Sequence, residues 1–120
     1  MTRRIVLIED DPDIAALVQD MLAEIGHTVA VRDRLEDDHL DEQAALVITD
    51  LVALRSFDPG AAREWVGRVR SAFPNAAIVV STAHAPAAAA GAAALGADAV
   101  LTKPFEVASF AAMVRSLLDD

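Results

Sequence analysis

The chain has 120 residues, with 10 Lys plus Arg against 19 Asp plus Glu, a formal charge of −9, no Cys and 54% hydrophobic residues. A chain this long buries roughly two-thirds of the surface its unfolded form exposes, so one soluble, acidic domain with a single core is expected, and a second domain does not fit. The negative charge opposes binding to nucleic acid or to a membrane surface, and the lack of Cys excludes disulfides, Cys-ligated metals and thiol nucleophiles and fits a reducing cytoplasm.

After Met1-Thr2-Arg3-Arg4 comes Ile5-Val6-Leu7-Ile8, too short for the apolar core of a signal peptide. Apolar throughout and rich in Ile, it reads as a buried parallel strand. Asp11-Pro12 offers an N-cap with Pro at the first helical position. Ile14, Leu17, Val18, Met21, Leu22 and Ile25 then recur at helical spacing up to Gly26, where a C-cap belongs. Thr28 to Val31 reads as a second strand. Arg34 to Gln43 has weak helical periodicity and is expected as a short helix, with Glu36, Asp37, Asp38, Asp41 and Glu42 on a solvated face.

Ala45 to Ile48 is the third expected strand. A helix beginning near Asp58-Pro59 carries the stripe Ala62, Val66, Val69 and Phe73 and stops at Pro74, with Trp65 as half-buried packing. Ala76 to Val80 is the fourth strand. Pro86 to Leu95, nearly all alanine, reads as a helix chosen for propensity. The longest apolar-looking stretch, Ala83 to Leu95, is broken by His84, Pro86 and Gly91 and falls far short of the roughly 20 residues that span a bilayer. Ala99 to Leu101 is the fifth strand, and Val107, Phe110, Ala111, Val114 and Leu118 mark a last helix.

Five alternations of strand and helix, joined by right-handed crossovers, predict an α/β fold: a three-layer αβα sandwich around a five-stranded parallel sheet of order 2-1-3-4-5. Ligands of such sheets sit beyond the carboxyl ends of the strands where the order reverses, between strands one and three. Strand one runs into Glu9-Asp10-Asp11, and strand three into Thr49-Asp50. Carboxylates crowded into one crevice repel unless a cation sits among them, and an all-oxygen donor set selects a hard one, with Mg²⁺ suited to two or three carboxylates plus water. Strand four ends at Ser81-Thr82 and strand five at Thr102-Lys103-Pro104. Lys103 is the only Lys among ten basic residues, a flexible point charge suited to a phosphate that arrives and leaves. Metal, acidic nucleophile, hydroxyl and cation together suit phosphoryl transfer.

The stretches Ile5 to Pro12, Leu46 to Leu51, Thr82-Ala83 and Gly96 to Phe105, in that order, make the chain resemble a bacterial response regulator receiver domain, a flavodoxin-like fold, over nearly its whole length. The resemblance implies one receiver domain over residues 1–120. It implies that Asp50 accepts a phosphoryl group from a sensor histidine kinase or a histidine phosphotransfer protein. Glu9, Asp10, Asp50 and the backbone carbonyl of Val52 are then the Mg²⁺ ligands. Lys103 pairs with the phosphoryl oxygens, and Thr82 donates to one of them, coupling the modification to a change in binding of a downstream protein target. The implied protein is cytoplasmic, binds neither nucleic acid nor membrane through this domain, leaves room for a homodimer, and modifies itself without being a turnover enzyme.

Other roles compete at several positions. Asp11, before Pro12, is expected as an N-cap and not a ligand. Ser81 is a rival hydroxyl to Thr82, and strand alternation sends the two to opposite faces. His27, His39 and His84 are expected at the surface. The position three before Lys103, usually aromatic in the family, is Val100, so the usual aromatic readout cannot operate, and Leu54 and Asp58 replace a customary Pro and Gly. These departures bear on the switch and not on the phosphoacceptor chemistry, and they motivate an alternative, a degenerate receiver that acts as a phosphorylation-independent scaffold. A haloacid-dehalogenase-like phosphatase is a third reading, opposed by Val52, where that class carries a second Asp.

Overall fold

A computed structural model describes residues 4–32, 41–50, 58–82, 91–102 and 107–118. Strand β1 (Arg4–Ile8) leads through helix α1 (Pro12–Glu24) to β2 (Thr28–Arg32). There follow β3 (Leu46–Thr49), α2 (Pro59–Ala72), β4 (Ala77–Thr82), α3 (described over residues 91–95), β5 (Ala99–Thr102) and α4 (Val107–Leu118). The strands form one parallel sheet of order β2-β1-β3-β4-β5, as the alternation predicts.

Period-two alternation sorts the core. Val6, Ile8, Val47, Ile78 and Val80 face one side, where they meet Ala62, Val66, Val69 and Phe73 of the α2 segment and Leu95 of α3. Ile5, Leu7, Leu46, Ile48 and Val79 face the other, against Val18, Met21 and Leu22 of α1 and Phe110, Val114 and Leu118 of α4. The sheet is therefore the middle of three layers. Each fully buried Val, Ile, Leu or Phe contributes about 1.5–3 kcal/mol, so these two clusters carry most of the drive to fold.

Helix ends follow the local chemistry. Asp11 Oδ1 accepts from the amides of Asp13 at 2.9 Å and Ile14 at 3.4 Å, and Asp58 Oδ1 accepts from Gly60 at 2.9 Å. Such caps are worth about 1 kcal/mol each. At the far end of α1, Gly26 takes φ +88°; its amide donates to Ala23 at 3.1 Å and that of His27 to Leu22 at 3.0 Å, a Schellman motif that turns the chain into β2. His27 is half-buried and not at the surface as expected, and its Nδ1 has no hydrogen-bond partner among the described residues.

One expected element is corrected at its carboxyl end. Most of Arg34 to Gln43 lies outside the described residues, but Asp41, Glu42 and Gln43 are not helical. The Asp41 carboxylate accepts from the amides of Gln43 at 3.0 Å and Ala44 at 3.1 Å, a local bonding pattern that competes with helix. It also pairs with Arg4 at 2.8 Å, so Asp41, with 12% of its side chain exposed, ties the start of β1 to the approach to β3 and does not lie on a solvated face. Burial raises its pKa, but the Arg4 guanidinium and the two amides outweigh that and hold it below the ordinary 3.8. Among the described residues no helix is long and apolar enough to cross a membrane.

Candidate phosphoacceptor and metal site

The sheet's hydrogen-bond ladder continues one residue past the ends of β1 and β3. The Glu9 amide donates to the Arg32 carbonyl at 2.9 Å, and the Asp50 amide to the Ile8 carbonyl at 3.0 Å. Two acidic residues thus start from backbone fixed by neighbouring strands, at the point where the strand order reverses. Asp10 follows Glu9 and precedes the Asp11 cap, so the entry to α1 sets its direction.

Glu9, Asp10 and Asp50 each offer a carboxylate oxygen, and these oxygens all lie within 4.8 Å of one another. Glu9 is buried, Asp50 half-buried and Asp10 exposed, giving the cluster a floor and a solvent-facing rim. Oxygens on opposite sides of one hard cation stand about 4–5 Å apart, twice the roughly 2.0–2.6 Å bond length, so one ion can reach all three. At an effective dielectric constant of about 20, two like charges about 4 Å apart repel by on the order of 4 kcal/mol, which a divalent ion removes. The all-oxygen set and the few protein ligands fit Mg²⁺. Asp11 is not in this group; its carboxylate is turned to the α1 amides, as expected for a cap.

Thr82, the last residue of β4, is fully buried, and Ser81 is 4% exposed. The register pairs Thr49 with Val80 and Thr82 with Thr102, so Asp50 follows one pair and Thr82 closes the other at the same end of the sheet. Alternation puts Thr82 on the side of Ile78 and Val80, and Ser81 on that of Val79. Val100 is half-buried and packs on the α2-side cluster. The expectations for Val52, Lys103, His39 and His84 fall outside the described residues.

Sequence reasoning missed two residues. Trp65 is half-buried, as expected, but its indole Nε1 donates to Thr49 Oγ1 at 2.9 Å, and Thr49 Oγ1 donates to the Asp50 carbonyl at 2.7 Å. The signal available was a hydroxyl directly before Asp50 and the only Trp of the chain on the next described helix.

No protein-family model and no curated protein matches the chain. Among solved structures it is similar to a response regulator from Thermotoga maritima, at 17% identity and a TM-score of 0.74, with 100% of each chain covered. It is similar to the response regulator TrrA of Thermotoga maritima, solved in complex with Mg²⁺-BeF, at 22% identity and a TM-score of 0.71, over 98% of this chain and 100% of that one. Full-length FixJ from B. japonicum aligns at 25% identity and a TM-score of 0.71, with 98% of this chain covering 59% of FixJ. The chain has the fold of response regulator receiver domains, flavodoxin-like in its strand order.

Proposed function

We propose that the chain is a phosphoacceptor signalling domain of a two-component system, taking a phosphoryl group onto Asp50 from a phosphohistidine. The observation that carries this reading is the convergence of Glu9, Asp10 and Asp50 at the switch point of a receiver fold. A carboxylate oxygen of Asp50 attacks phosphorus in line while the phosphorus–nitrogen bond of the donor breaks, leaving an acyl phosphate on Asp50 and a neutral imidazole once the ring nitrogen takes a proton. Glu9, Asp10, Asp50 and the Val52 carbonyl hold Mg²⁺, which when bound offsets the charge of carboxylates and phosphoryl oxygens. Lys103 pairs with the phosphoryl group, and Thr82 donates to it and carries the change outward. TrrA, solved with Mg²⁺-BeF, supports the ion as the cofactor.

In this reading residues 1–120 are one receiver domain that works in the cytoplasm. Its partners are a sensor histidine kinase or a histidine phosphotransfer protein and a downstream protein target. It modifies itself and turns over no separate substrate. The scaffold alternative draws support from Val100, which packs into the core without an aromatic ring to reorient. Incubation with a small acyl phosphate donor and Mg²⁺ separates the two readings. Intact mass rises by one phosphoryl group in the wild type and not in Asp50→Asn; no gain in the wild type rejects the phosphoacceptor reading.

A further inference from the structure

We propose that Trp65 is a positioning residue for Asp50, acting from α2 through the hydroxyl of Thr49. An indole N–H only donates, so at 2.9 Å it must find an acceptor, and Thr49 Oγ1 is that acceptor. The threonine proton is thereby left to point at the Asp50 carbonyl, 2.7 Å away. The direction of the relay is fixed by chemistry: Trp65 to Thr49 to Asp50. Because Thr49 is fully buried, its hydroxyl finds no water in place of either partner if one bond is lost.

The relay meets the ladder at one residue. The Asp50 amide is held by Ile8 and its carbonyl by Thr49, so both peptide groups flanking its Cα are fixed, and with them the direction in which the carboxylate leaves the chain. Alternation along β3 puts Thr49 on the α2 side with Val47, which is why a residue of α2 reaches it. Trp65 is itself held: it packs against the core on that side, and the Arg68 guanidinium lies 5.4 Å from its ring centroid. A shift of α2 is thus transmitted to Asp50, and a change at Asp50 is transmitted to α2. This gives the site a mechanical outlet that does not need an aromatic at position 100.

The inference rests on the phosphoacceptor reading, and the test separates their failures. Mg²⁺ affinity by calorimetry, the rate of phosphorylation by a small acyl phosphate, and melting temperature are measured for the wild type, Trp65→Phe, Thr49→Val, Thr49→Ser and the Trp65→Phe/Thr49→Val pair. Trp65→Phe keeps the packing and loses the donor; Thr49→Val keeps the shape and loses the hydroxyl. Each lowers Mg²⁺ affinity or phosphorylation rate by about tenfold, and the pair is no worse than Thr49→Val alone. Thr49→Ser, which costs stability but keeps the hydroxyl, restores both. The Trp65 indole proton also shifts in NMR spectra when Mg²⁺ and beryllofluoride are added to the wild type. Variants that melt earlier but bind Mg²⁺ and react like the wild type overturn the relay and leave the phosphoacceptor reading standing. A wild type that binds Mg²⁺ but takes no phosphate rejects the phosphoacceptor reading, while the affinities still decide the relay. A wild type that does not bind Mg²⁺ rejects both.

Discussion

The amide of Asp11 donates to Glu9 Oε2 at 3.3 Å, while the Asp11 carboxylate caps α1. One acidic residue therefore orients another without joining the cluster that could hold an ion. Asp10, between them, is the exposed member of that cluster.

Substitution should divide these neighbours by role. Asp11→Ala removes the cap and lowers stability by about 1 kcal/mol in urea unfolding. Asp10→Asn leaves stability without added metal within about 0.5 kcal/mol, as at an ordinary surface site, yet lowers Mg²⁺ affinity at least about tenfold. A loss of affinity in Asp11→Ala as large as in Asp10→Asn would make Asp11 a ligand.

Metal should stabilise the fold by mass action. At 100 times its Kd, a ligand that binds only the folded chain adds about 2.7 kcal/mol, or about 10 °C in Tm for a domain of this size. A thermal melt with Mg²⁺ should show that rise, chelator should reverse it, and Glu9→Gln should remove most of it. An unchanged Tm in saturating Mg²⁺ contradicts the assignment.

The Arg4–Asp41 pair gives stability a defined pH dependence. Asp41 has a folded pKa below its unfolded 3.8. Its contribution is therefore complete above that value and is lost as pH falls through the lower, folded one. Asp41→Asn keeps an acceptor for the turn amides and loses the ion pair. It should cost about 1 kcal/mol at neutral pH, and its unfolding curve should converge on that of the wild type as the medium becomes more acid than 3.8. A gap that stays constant down to the acid limit would remove the ion pair from the account.

Gly26 should resist replacement for a backbone reason alone. It has φ +88°, and among the described residues nothing lies within 4 Å of where a Cβ would stand, so Gly26→Ala meets no clash with them but must hold a left-handed conformation. The expected cost is about 1 kcal/mol, read as a lower Tm with Mg²⁺ affinity unchanged.

The fold was legible because the chain punctuates itself. Asp11-Pro12 and Asp58-Pro59 start α1 and α2 where the sequence predicts, and Gly26 follows α1 as predicted. Four strands extend beyond their apolar runs at the carboxyl end, to Arg32, Thr49, Thr82 and Thr102. An apolar run stops at the first polar side chain, whereas the ladder is built from backbone and does not. Those polar, still-paired residues stand at the edge of the sheet where the acidic cluster lies. Glu9, Asp10 and Asp50 were legible since topology alone carries adjacent strand ends together. The role of Asp41 is not legible, because a charge run says nothing of the distant Arg4 that one member finds. The Trp65–Thr49 bond spans 16 residues and two elements, a contact that neither periodicity nor spacing encodes.

The most direct measurement is a crystal structure of the chain with Mg²⁺ and beryllofluoride. The beryllium is expected on a carboxylate oxygen of Asp50, with one metal ion touching Glu9, Asp10 and Asp50 beside it. An ion bound elsewhere, or beryllofluoride on another carboxylate or absent at saturating concentration, contradicts it.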